Sequence, residues 1–129
     1  MAMLKSATQL DREQRETQTV SKAVVRAAAA LGLTNRALAG IVGLSEASVS
    51  RLTRGEFLLD RHGKSFELAV MLIRLYRSLD AVTGGDAAVA SAWLKGENTA
   101  LHAVPLDLIQ TVEGLVSTVL YLDARRAVL

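Results

Sequence analysis

The run Ser45-Glu46-Ala47-Ser48-Val49-Ser50-Arg51 strings a carboxylate, three hydroxyls and a guanidinium along two helical turns. Such groups read other molecules by hydrogen bonding. A guanidinium matches two acceptors on a guanine edge, a carboxylate accepts from the cytosine amino group, and a hydroxyl serves several bases. Just upstream, Thr34, Asn35 and Arg36 form a second polar group that can hold phosphate oxygens, and Arg54 and Lys64 add further cations.

No comparable set points to bond-breaking chemistry. The two histidines, His62 and His102, lie in different segments, and there is no cysteine. Asp107 and Glu113 fall at other turns of the segment after His102, so no metal-ligand spacing arises. No glycine-rich phosphate loop with a lysine and no G-x-S-x-G is present. The expectation is a chain that is not an enzyme and takes no metal or cofactor. The remaining unusual cluster is WLKGENTALHAVPLDLIQTVEG at 93–114, which holds the only Trp and the only Pro. It reads as a clasp between two helices, with Trp93, Asn98, Leu101 and Pro105 as its structural residues.

Elements that position these groups follow from composition and pattern. Half the residues are hydrophobic but only 4% are aromatic, and the apolar content is mostly the helix formers Ala and Leu, with Val. The expected fold is all-α. Residues 1–18 are polar and weakly patterned, predicting a flexible arm or frayed helix. VSKAVVRAAAALGL predicts a helix from Val20 that stops at Gly32. TNRALAGIVG and LSEASVSRLTRG predict two short helices capped by Thr34 and Ser45, the helix-turn-helix pattern. Leu38, Ala39, Val42, Val49 and Leu52 would hold the pair together. A long helix is predicted from Ser65 to Gly84, then one from Asp86 to Gly96, then one from Pro105 through Arg126.

The long helix is apolar on more than one face. A chain this short has few helices to cover it, so a second copy is the economical cover. The expectation is a homodimer through Phe66, Val70, Ile73 and Tyr76, with a central core helix in a monomer as the alternative. The domain reading is thus an arm at 1–18, a DNA-binding unit at 19–64, a dimerising helix at 65–83 and a C-terminal module at 84–129. Charge follows these divisions: residues 19–64 hold seven cations against three anions, and residues 65–129 hold five against seven. A basic middle facing nucleic acid and a mildly acidic remainder facing protein is the natural reading. The N-terminus lacks the apolar core of a signal peptide, and LAVMLIRLY is interrupted by Arg74 and too short to span a bilayer. A cytoplasmic protein without membrane contact is expected.

Leu38-Ala39, Val42-Gly43, Ser45, Val49-Ser50-Arg51 and Gly55 resemble the Xre-type helix-turn-helix. Downstream, Ala90, Trp93, Leu94, Asn98, Ala100, Leu101, Pro105, Asp107, Leu108, Ile109, Thr111, Glu113 and Gly114 resemble the C-terminal domain of the Xre/MbcA/ParS antitoxins. Two departures stand out. Relatives usually have glycines after Ala-Leu, where this chain has His102 and Ala103, and often a glycine-bearing tail where it has YLDARRAVL. The resemblance implies neutralisation of a cognate RES-domain toxin that consumes NAD⁺ or uses it for modification. It also implies that the C-terminal region covers the toxin's active site, and that DNA binding represses the operon. A cleft for an anionic dinucleotide is electropositive, so Asp123 or the carboxylate of Leu129, next to Val128, would enter it, while Arg125 and Arg126 would instead meet acidic groups of the toxin. The DNA contacts would be Thr34, Asn35, Arg36, Ser45, Glu46, Ala47, Ser48, Ser50, Arg51 and Arg54 on operator DNA. The alternative is a stand-alone dimeric helix-turn-helix regulator.

Overall fold

The computed structural model describes residues 4–129. Seven helices follow in order: α1 Ala7–Leu31, α2 Asn35–Val42, α3 Glu46–Thr53, α4 Lys64–Val82, α5 Ala87–Lys95, α6 Pro105–Leu108 and α7 Val112–Arg126. No strand occurs among the described residues, so the fold is all-α as the composition requires.

The first helix departs from expectation. Residues 7–18, read as an arm, are the N-terminal half of α1, while residues 1–3 lie outside the described residues. The signal was a capping box: Ser6 Oγ accepts from the Gln9 N–H at 3.1 Å, and Gln9 Oε1 accepts from the Ser6 N–H at 3.0 Å. Polarity hid the helix because this half is mostly exposed. Ion pairs of Glu16 with Arg61 at 2.6 Å and of Lys5 with Glu13 at 2.7 Å tie it down, and His62 joins the second pair.

Helix α4 is the hub, packing against α1, α2, α5 and α7. Ala69, Leu72, Leu75 and Leu79 are fully buried along it. Most of its apolar surface is therefore covered within one chain, while Val70 stays 41% exposed. Phe66, expected at a dimer contact, is 7% exposed in its own core beneath the Arg61 guanidinium, 4.9 Å from the ring centroid. The face left open on α4 carries Glu67, Val70, Arg74 and Arg77. Few partners sufficed because α1 and α7 are both long. Each fully buried Leu in this core contributes roughly 1.5–3 kcal/mol of apolar burial.

Chain reversals rest on side-chain caps. Thr34, Ser45 and Asp86 each accept from backbone N–H groups at the start of α2, α3 and α5. The segment between α3 and α4 is held by the Leu59 N–H, which donates to buried Ser21 Oγ on α1 at 3.1 Å. The last predicted helix is broken in two. Thr111 Oγ1 accepts from the Gly114 N–H at 3.0 Å and starts α7 afresh. A side chain at Gly114 would fall on the Leu108 carbonyl, so the missing Cβ is what lets α6 close against α7.

Candidate functional site

Helices α2 and α3 present the polar groups that the sequence singled out. The fully buried Val42 and Val49, with Leu38 and Leu52, lock the two together and onto α4. That leaves Asn35, Arg36, Glu46, Ala47, Arg51 and Arg54 exposed. On α3 the groups are linked. Ser45 Oγ accepts from the Ser48 N–H at 3.1 Å and donates to Ser48 Oγ at 3.0 Å. The Arg51 guanidinium reaches Ser48 Oγ at 3.4 Å and lies over Phe57, 5.5 Å from its centroid. Phe57 thus shelves the guanidinium, a role not read from the sequence.

Two of the expected contacts are occupied within the chain. Ser50 is half-buried and accepts from Arg54 Nη1 at 2.6 Å, and Arg54 also pairs with Glu56 at 3.1 Å. These two form a corner at the end of α3 rather than a free donor set. Thr34 Oγ1 accepts from the Ala37 N–H at 3.0 Å, so it shapes the start of α2 while Asn35 and Arg36 project from it. Glu46, Ser48 and Arg51 therefore share the outer face of α3, with Arg36 exposed at the start of α2. These are the two elements with which a helix-turn-helix docks.

The C-terminal groups sort differently. Asn98 Oδ1 accepts from the Leu101 N–H at 3.0 Å, and Asn98 and Ala103 exchange backbone hydrogen bonds, closing a tight loop. Pro105 is buried at the first turn of α6. Half-buried Trp93 stacks on Tyr121 of α7, centroids 6.4 Å apart and planes at 15°. Such a pair adds about 0.5–1.5 kcal/mol beyond its buried area. His102 is the only non-glycine residue with positive φ, 58°, among the described residues. It stands where the resembled family usually has glycine.

Asp123 was expected to enter a partner's cleft. Instead it bridges α7 to α4, accepting from Ser78 Oγ at 2.6 Å and pairing with Arg74. The Ser78 hydrogen bond, with Arg74 beside it, holds its carboxyl below the usual value. Arg125 donates to the Tyr121 hydroxyl at 2.9 Å, whereas Arg126, Val128 and Leu129 are exposed. Beyond the expected residues, Val112, Val116 and Leu120 form an exposed apolar stripe at four-residue spacing along α7. No group of His, Asp and Glu among the described residues is placed to hold a metal ion, and no helix is long and apolar enough to cross a membrane.

Comparison with known families agrees with this division. Residues 6–74 match the antitoxin Xre-like helix-turn-helix domain, and residues 78–127 match the antitoxin Xre/MbcA/ParS C-terminal toxin-binding domain. No curated protein matches the chain significantly. The first match takes in the N-terminal half of α1, and the second begins at Ser78, the residue that grips Asp123. With a DNA-binding unit and a toxin-binding unit in this order, the chain belongs to the Xre/MbcA/ParS family of antitoxins.

Proposed function

We propose that this antitoxin neutralises a RES-type toxin, one that consumes NAD⁺ or transfers ADP-ribose, and represses its own operon in the cytoplasm. The observation that carries the division of labour is the contrast between the linked Ser48–Arg51 pair on α3 and the exposed apolar stripe on α7. The first suits base edges and the second suits a protein surface. The RES identity rests on the family resemblance and on charge. An acidic C-terminal half complements a cleft built for an anionic dinucleotide.

With Asp123 engaged by α4, the groups left to cover that cleft are Val128, Leu129 and Arg126, and Val112, Val116 and Leu120 supply the docking area. Operator binding needs two α3 helices, so two copies act together. Val70, 41% exposed between open concavities of about 590 and 460 Å³, and half-buried Ile73 are the α4 positions available to a second copy.

Co-purification with the product of the neighbouring gene, followed by mass determination, tests this reading. A complex with two copies of this chain is expected. Removing residues 127–129, which lie past α7, should reduce neutralisation and leave promoter binding intact. Arg51→Ala should do the reverse. A clean homodimer with no partner would instead favour a stand-alone regulator.

A further inference from the structure

The turn that follows α6 reaches across to the first turn of α2. Gln110 Nε2 donates to the Ala37 carbonyl at 3.2 Å. One turn on, Gly40 leaves the outer face of α2 bare, and a Cβ there would fall on the Gln110 amide. Gln110 thus has a seat that α2 provides only because residue 40 has no side chain. The joint borders an open concavity of about 410 Å³, with Thr34, Arg36 and Gly40 on one wall and Leu106, Asp107 and Gln110 on the other. Arg36 and Asp107 are both exposed on its walls.

We infer that Asp107 is a brake on DNA binding and that Gln110 is the latch holding it beside α2. The inference rests on the reading that the start of α2 lies against phosphate. Two effects act in one direction. The Asp107 carboxylate repels a phosphate strand passing Arg36, and it offsets the positive potential that Arg36 offers that strand. Both operate over distances comparable to the Debye length, about 8 Å at physiological salt, so the brake is modest and salt-dependent. The toxin-binding module therefore sets the DNA affinity of the module before it. A partner that shifts α6 changes promoter occupancy without touching α3.

The experiment measures anisotropy of a labelled promoter duplex from low to moderate salt, with a scrambled duplex as control. Full-length wild type, Asp107→Asn, Gln110→Ala, the double variant and Arg51→Ala are compared, each with its melting temperature. Asp107→Asn is expected to bind about twofold to fivefold more tightly at low salt, the gain fading as salt rises. Gln110→Ala should move the same way, and the double variant should not exceed Asp107→Asn alone, since both act through one carboxylate. If Arg51→Ala loses promoter binding while Asp107→Asn matches wild type at every salt, the DNA reading stands and the brake is overturned. If wild type binds neither duplex even at low salt, the DNA reading falls and takes the brake with it. If Gln110→Ala binds more weakly and melts lower, Gln110 only braces the fold and the latch is overturned.

Discussion

The outer face of α3 and the seam between α4 and α7 both carry charged side chains at helical spacing, and they end in opposite situations. On α3, Arg51 reaches only a hydroxyl and an aromatic shelf, so its planar donors remain available. In the seam, Asp123 is taken by Ser78 and Arg74, and its charge closes the fold. A helix that crosses no neighbour on its polar face keeps its charges for a partner. A helix laid along another spends them. Sequence spacing predicts which residues share a face, but not whether a second helix lies on it.

The C-terminal module depends on a missing side chain at Gly114. Gly114→Ala drives a Cβ into the Leu108 carbonyl, so α6 and α7 must separate. A loss of about 3 kcal/mol is expected, because the clash is with backbone that cannot rotate away. Calorimetry should show a much lower melting temperature, and toxin neutralisation should fall with it. Promoter binding below that temperature should persist if the α3 face is carried by α1 to α4. Its loss would show the two regions to be one cooperative unit.

Asp123→Ala tests the seam directly. It strands the fully buried Ser78 hydroxyl, at a cost of about 1–3 kcal/mol. An unchanged melting temperature would mean that Asp123 is free for a partner after all. The same residue gives a pH signature. Its native pKa lies below the ordinary value of 3.8, so its stabilising contribution is complete above that value and is lost as pH falls through the lower native one. Wild type should therefore lose more stability than Asp123→Asn as pH falls through 3.8 and below it. Parallel loss in the two proteins would remove Asp123 from the account.

Much of the fold was legible because its punctuation is local. Thr34, Ser45 and Asp86 cap helices where they were expected to, and Gly32 and Gly43 end them. The first half of α1 was missed because its stabilisation is not apolar periodicity. It comes from a capping box and from ion pairs to Arg61 and Lys5, the former distant in sequence. The break at Ile109–Thr111 was missed because Pro105 and Thr111 are both good helix starts, and a continuous apolar pattern masks the second. That Glu46, Ser48 and Arg51 share the outer face of α3 was readable from spacing within one short segment, whereas the Ser50–Arg54 corner and the Phe57 shelf were not. The seam and the Gln110 joint were not, because they depend on which helices meet.

The smallest expected effect lies in the clasp, at His102. Its φ of 58° is a conformation that costs a residue with a Cβ roughly 1 kcal/mol and costs glycine little. His102→Gly removes that cost while adding some freedom to the unfolded chain, so the two terms oppose each other. The backbone pairing of Asn98 with Ala103 holds the turn whatever stands at 102, which favours the first term. A gain of about 0.5 kcal/mol is expected, visible as a rise of about 1–3 °C in melting temperature. His102 is also exposed and bears no hydrogen bond that the turn needs. A gain in stability with unchanged neutralisation would make His102 a tolerated replacement for glycine. A gain in stability with loss of neutralisation would move the imidazole from the clasp to the toxin contact, and the boundary between packing and recognition in the C-terminal half would shift to include this loop.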